Sequence, residues 1–147
     1  AAAPHASTSA GATAEQVETM RQFGLNAGKA FQIRDDIFDY QPDNNTGKGY
    51  GNDIREHKMT LPLIHLLKES SALERTLIIN CIRLNGKRRR TVDSIICKAN
   101  EKNSLAYCEE KMNLFIRQAE DNLNTIEDSE AKNALKDLMF YCIKRNN

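Results

Sequence analysis

The sequence predicts an all-α fold, a bundle of helices joined by short links. Three observations carry that expectation. Apolar residues recur at spacings of three and four through most of the chain. No stretch of useful length alternates apolar and polar residues as a half-buried strand does. Where the helical pattern stops, breakers and starters stand in its place: Pro42 with Gly47, Gly49 and Gly51, and then Thr60. At 147 residues the chain is the size of one ordinary domain, long enough to bury roughly two-thirds of its unfolded surface. Hydrophobic residues at 40% and charged residues at 28% fit a globular chain rather than a disordered one. A net charge of +1 argues against a general nucleic-acid binder, and no apolar run is long enough to span a bilayer.

Thr13 and Gln16 have the spacing of a capping box and open a long helix through Tyr40. Val17, Met20, Phe23, Ala27, Ala30 and Phe38 form its apolar stripe. Residues 41–58, "QPDNNTGKGYGNDIREHK", interrupt it, with room for a short helical turn near Asp53–Glu56. Thr60 starts an apolar helix that tolerates Pro62 in its first turn. A helix over 72–83 places Leu73, Leu77, Ile78, Cys81 and Ile82 on one face, and "LNGKRRR" reads as a turn. Thr91 begins a short helix to about residue 101. Leu105, Cys108, Met112, Phe115, Ile116, Ala119, Leu123 and Ile126 make the clearest amphipathic stripe. A last helix covers about 129–144, with Ala131, Leu135, Leu138, Met139 and Cys142. The whole of 1–147 reads as one all-α piece, with 1–12 a truncated junction or flexible start and 41–59 a site loop.

None of the four cysteines stands in a zinc-binding spacing. Cys81, Cys108 and Cys142 lie on helical stripes and are expected to be buried, reduced thiols, which fits a reducing cytosol.

The chemistry concentrates in "FQIRDDIFDY", residues 31–40. On a helix, Gln32, Asp35, Asp36 and Asp39 fall within an arc of roughly 100°. Gly28 precedes them by one turn, and Phe23, Ala27, Ala30 and Ile37 centre on the opposite face. Carboxylates crowded on a helix fit for burial call for a cation, and an all-oxygen set favours Mg²⁺, Mn²⁺ or Ca²⁺. The competing reading is a solvated acidic face with Arg34 and Lys29 as partners. The segment 39–54 lacks the glycine and glutamate register of an EF-hand, and "GKG" lacks the pattern of a P-loop. Lys48, flanked by glycines, then Asp53, Arg55 and Lys58 follow in the loop. A lysine on such a loop suits a phosphate approached closely by backbone.

"FGLNAGKAFQIRDDIFDY", "GKGYGND" and "KMTLPLI" together resemble the second aspartate-rich region of trans-isoprenyl diphosphate synthases, most closely the long-chain, octaprenyl-type branch. The match covers about fifty residues in order: Phe31, Gln32, Asp35, Asp36, Asp39, then Gly47, Lys48, Gly51, Asn52, Asp53, then Lys58, Thr60, Leu61, Pro62, Ile64. The resemblance implies the C-terminal part of an isoprenoid-synthase-type helical fold. It implies Asp35 as a direct Mg²⁺ ligand (Mn²⁺ as substitute), with Asp36 and Asp39 acting through the same metal or its waters. It makes Asp35 and Lys48 catalytic, and gives Gln32, Lys48 and Lys58 to the substrate. The implied reaction is ionisation of an allylic diphosphate, attack by isopentenyl diphosphate, and loss of a proton. Metal ions there neutralise charge on the departing diphosphate. The resemblance further implies a homodimer, no nucleic-acid partner, and a cytoplasmic enzyme associated with membrane through its lipid product.

The same family needs a first D-D-x-x-D and an upstream basic stretch for isopentenyl diphosphate. No D-D-x-x-D precedes residue 31 here, and Arg21 and Lys29 are the basic side chains of the first thirty residues. The chain is therefore expected to be the C-terminal half of such an enzyme, inactive alone, its partner the N-terminal half, and prone to self-association through uncovered apolar faces. Three alternatives remain: a non-enzymatic helical interaction domain, a shorter-chain farnesyl or geranylgeranyl diphosphate synthase, and a terpene cyclase, which the "GK" and "TLP" segments fit less well. "KRRR", residues 87–90, reads as a solvated loop or a contact for an anionic membrane.

Overall fold

The computed structural model describes residues 11–41 and 49–144. The expectations for residues 1–10 and for Lys48 therefore lie outside the described residues. Among the described residues all regular structure is helical: α1 (Ala14–Asp39), α2 (Asn52–Arg55), α3 (Leu61–Lys68), α4 (Ala72–Asn85), α5 (Arg89–Glu101), α6 (Ser104–Asn124) and α7 (Glu130–Lys144). The chain divides into two units, Ala1–Gln32 with Lys111–Asn147, and Ile33–Glu110.

The first unit holds the N-terminal part of α1, the C-terminal part of α6, and α7. α1 starts where the sequence marks it. The Thr13 amide donates to Gln16 Oε1 at 2.9 Å, and the Gln16 amide returns to Thr13 Oγ1 at 3.3 Å. Phe23, Ala30, Ala119, Leu123, Met139 and Ile143 form its buried core, flanked by Met112, Phe115 and Ile116 from the α6 stripe. Each full burial of such a side chain stabilises by roughly 1.5–3 kcal/mol before entropy is counted. Asn26 Nδ2 donates to Asn122 Oδ1 at 3.1 Å, and Lys29 Nζ sits 5.0 Å from the Phe115 ring centroid.

The second unit is built on Leu63, Leu66 and Leu67 of α3, Ile78 and Ile82 of α4, and Val92, Ile95, Ile96 and Ala99 of α5, joined by Tyr40 and Ile54. α4 carries a complete capping box between Ser71 and Glu74. α2 is short but pinned at both ends of its turn. Gly51 precedes it with φ +71°, and a Cβ built there would lie 2.1 Å from Val92 Cγ1. Only glycine brings the backbone this close to α5 in that conformation.

Several expectations change, and Phe38 and Leu138, read on apolar stripes, are exposed. Leu73 and Leu77 are exposed (72% and 56%), as is Cys81, whereas Ile78 and Ile82 are buried. α4 buries Ile78 and Ile82 against α3 and α5, and Arg75 Nε donates to the Leu67 carbonyl at 2.9 Å, so the stripe read from the sequence is wider than the face covered. The "LNGKRRR" turn is also shorter than expected. α4 runs to Asn85 and α5 begins at Arg89, because Arg88 O accepts from the amides of Thr91 and Val92 and arginine is a good helix former. Cys108 is buried as expected, Cys142 is half-buried, and Cys97 is exposed.

Gly51→Ala is expected to destabilise the chain by about 2–4 kcal/mol, the sum of left-handed strain and overpacking against Val92. In denaturant titrations, combining it with Val92→Ala should cost less than the two single losses added, and strict additivity would count against this contact. A thiol reagent at pH 8 should label Cys81 and Cys97 in the native chain. Cys108 should react only after unfolding, because burial pushes its thiol up to about 12, with the charges of Asp36 and Glu109 adding.

Candidate functional site

The three aspartates at the end of α1 do not stand alike. Asp35 is exposed, Asp36 is 7% exposed, and Asp39 is half-buried. Helical periodicity accounts for this, since Ile33, Ile37 and Tyr40 are all buried in the second unit and Asp36 lies next to Ile37.

Asp36 reaches the start of α3. Its Oδ2 accepts from the Leu61 amide at 2.9 Å. Thr60 occupies the N-cap position, yet its side chain caps nothing. The Thr60 hydroxyl lies 3.2 Å from the buried Tyr40 hydroxyl instead. Pro62, in the first turn, has no amide to satisfy. Of the amides left in that turn, Asp36 takes Leu61's from twenty-five residues away.

Asp39 is bound more completely. Its Oδ1 accepts from the Asn52 amide and its Oδ2 from the Asp53 amide, both at 2.8 Å. Its backbone carbonyl accepts from the Gly51 amide at 2.7 Å. The chain thus leaves α1 at Gln41 and is back on Asp39 at Gly51, so the loop carrying Lys48 is closed at its neck. The neck has further ties. Tyr50 donates from its hydroxyl to Asp93 Oδ1 at 2.6 Å, with Arg89 over its ring at 5.6 Å. Asn52 Nδ2 donates to the Gly49 carbonyl at 2.7 Å, and the Arg55 guanidinium donates to the Tyr50 carbonyl.

Burial holds the Asp35 carboxyl above the usual carboxylate range, with Asp36 and Asp53 adding and Arg34 opposing. Burial also raises Asp39, reinforced by Asp53 and opposed by the two backbone donors and Arg55. Lys58 is exposed and bridges Asp53 at 3.0 Å and Glu56 at 2.7 Å. Both partners raise its pKa, the Glu56 hydrogen bond most. Gln32 is exposed on α1 and belongs to the first unit.

The structure therefore brings Asp35, Asp36, Asp39, Asp53 and Lys58 into one unit. Sequence reasoning did not assign roles to Asp53, Tyr50 and Asp93. Asp53 was visible in "GND", but nothing local pairs Tyr50 with a residue forty-three positions on. Among the described residues no three His, Cys, Asp or Glu side chains form a metal-holding group. Asp35, a hard oxygen donor whose carboxyl burial raises, is the carboxylate of the three left open to a divalent cation.

Comparison with known proteins bears on the family. The family model for Polyprenyl synthetase matches residues 1–99. The chain is 33% identical over 138 residues to the octaprenyl diphosphate synthase of Haemophilus influenzae, covering 93% of this chain and 42% of that protein. It is 33% identical to the geranylfarnesyl diphosphate synthase of Aeropyrum pernix, covering 99% of this chain and 45% of that protein. Among solved structures, a decaprenyl diphosphate synthase from Rhodobacter capsulatus superposes with a TM-score of 0.85 at 25% identity, over 96% of this chain and 44% of that one. The chain spans less than half the length of each of these relatives. The family match over residues 1–99 carries the conclusion: the chain belongs to the polyprenyl synthetase family.

Proposed function

We propose that this chain is the half of a trans-polyprenyl diphosphate synthase, of the long-chain type, that holds an allylic diphosphate through Mg²⁺. The observation that carries the reading is the exposed Asp35 carboxylate on the same helix end as Asp39, whose carbonyl and carboxylate take the chain back at residues 51–53. Bound there, Mg²⁺ (or Mn²⁺) supplies positive charge against the departing diphosphate. Asp35 would hold the ion directly, with Asp36 and Asp39 acting through the same metal or its waters. Lys48 contacts the diphosphate, and Gln32 orients that end of the site. Lys58 joins by exchanging its exposed pairs with Asp53 and Glu56 for phosphate oxygens, a small loss because such surface pairs contribute about 0–1 kcal/mol. Condensation with isopentenyl diphosphate needs a second acidic motif and further basic residues. In this reading the part of the relatives that the chain does not span supplies them, and the whole enzyme works as a homodimer in the cytoplasm, meeting membrane through its lipid product. Among the described residues no helix is long and apolar enough to cross a membrane.

Two measurements test this. Incubated with farnesyl and isopentenyl diphosphates and Mg²⁺, the chain alone should yield no condensation product; product formation overturns the half-enzyme reading. Mg²⁺ with inorganic pyrophosphate should raise its thermal midpoint, by up to about 2.7 kcal/mol of stabilisation at a hundredfold excess over Kd, and Asp35→Asn should remove most of the shift. A wild-type chain indifferent to both supports instead a helical interaction domain with solvated acids.

A further inference from the structure

The second and third aspartates of the motif each meet backbone amides, and this sets them apart from Asp35. Among the described residues nothing hydrogen-bonds the Asp35 carboxylate. Asp36 is buried and bound to the Leu61 amide, and Asp39 has both carboxylate oxygens and its carbonyl on three successive amides. A carboxylate that accepts backbone N–H groups at a helix start does the work of an N-cap, and the helix's partial positive end favours its charge. Here the caps come from another helix, so each bond also fixes where the capped helix lies against α1.

We infer that Asp36 and Asp39 are positioning residues: from the end of α1 they fix through backbone amides the starts of α3 and α2, and so set where the lysine loop returns and where Lys58 stands. Three features of the geometry converge on this. The local cap of α3 is absent because Thr60 is committed to Tyr40. Gly51, in its left-handed conformation against Val92, turns the amides of residues 51–53 toward Asp39. Asp53, whose amide Asp39 holds, in turn carries Lys58 on its carboxylate at 3.0 Å. The chain of contacts Asp39–Asp53–Lys58 therefore ties a cation near the site to the third aspartate without a direct bond between them. The anchoring stands on these distances alone; its bearing on diphosphate binding rests on the function proposed above.

Amide exchange followed by nitrogen-15 NMR on the whole 147-residue chain, without metal, tests the anchors. Asp39→Ala should speed exchange at Asn52 and Asp53 by about tenfold or more and leave Leu61 alone; Asp36→Ala should do the reverse. Conservative variants separate the two roles further. Asp36→Asn keeps one acceptor oxygen and should restore protection at Leu61. Asp39→Asn keeps one acceptor but sets an NH₂ group against the other amide, so one of Asn52 and Asp53 should stay exposed to exchange. Asp35→Ala should change none of the three. Should an alanine variant lose its fold, scalar couplings across the hydrogen bonds of the wild-type chain replace it. They should link Leu61 N to the Asp36 carboxyl carbon, and Asn52 N and Asp53 N to that of Asp39. Leu61 as protected in Asp36→Ala as in wild type, Asn52 and Asp53 as protected in Asp39→Ala, or couplings of these amides to other carbons, overturns the inference. Mn²⁺ added to the wild type reads the proposed function separately: no paramagnetic broadening around Asp35 sinks the metal-site reading and leaves the anchors to their own measurement.

Discussion

In the second unit the grip of Asp39 on the amides of Gly51, Asn52 and Asp53 is the contact on which the rest is hung. It closes the neck of the loop, and it starts the short helix whose Ile54 is fully buried in the core. From that helix the ties run onward, Tyr50 to Asp93 on α5 and Arg55 back to the Tyr50 carbonyl. A four-residue helix has no stability of its own in water. It persists here because each end of its backbone is held by a side chain or a packed core residue.

The electrostatics follow from the same arrangement. Three carboxylates within five positions, with Asp53 nearby, repel one another, and burial adds to the cost. Backbone dipoles offset part of it at Asp36 and Asp39, where the acceptors are used. At Asp35 no such offset is on hand except the Arg34 charge, and its carboxyl remains raised. The cluster thus divides by contact: Asp36 and Asp39 are held by backbone amides, and the Asp35 carboxylate is left exposed. A site that binds a metal together with a diphosphate needs such an opening, because the phosphate oxygens complete the coordination.

Much of this was legible in the sequence. The helical class, the capping box at Thr13 and Gln16, and the α6 stripe follow from local pattern, and local pattern is what those features are made of. The family was legible too, because Phe31–Asp39, Gly47–Asp53 and Lys58–Ile64 stand in a fixed order. What escaped was long-range. Period alone placed Leu73 and Leu77 with Ile78 and Ile82, but which part of a wide stripe is covered depends on the helices that arrive from elsewhere. The unequal standing of Asp35, Asp36 and Asp39 escaped for the same reason: spacing puts them on one arc, while their partners come from residues 52, 53 and 61. Tyr50 and Asp93 carry no sequence signal of their pairing at all.

The cap that α3 receives from Asp36 bears on the order in which the chain folds. A helix with its own N-cap can begin at its first turn as soon as that stretch is made. α3 closes its first turn through the Ile64 amide on the Thr60 carbonyl, but Thr60's side chain is spent on Tyr40 and the acceptor for the Leu61 amide lies twenty-five residues upstream. That one cap bond forms only after the intervening loop closes, and its entropy must be met first. The acid-rich end of α1 acts as a template: the helix beginning "LPLI" acquires its defined start only where that end is already in place.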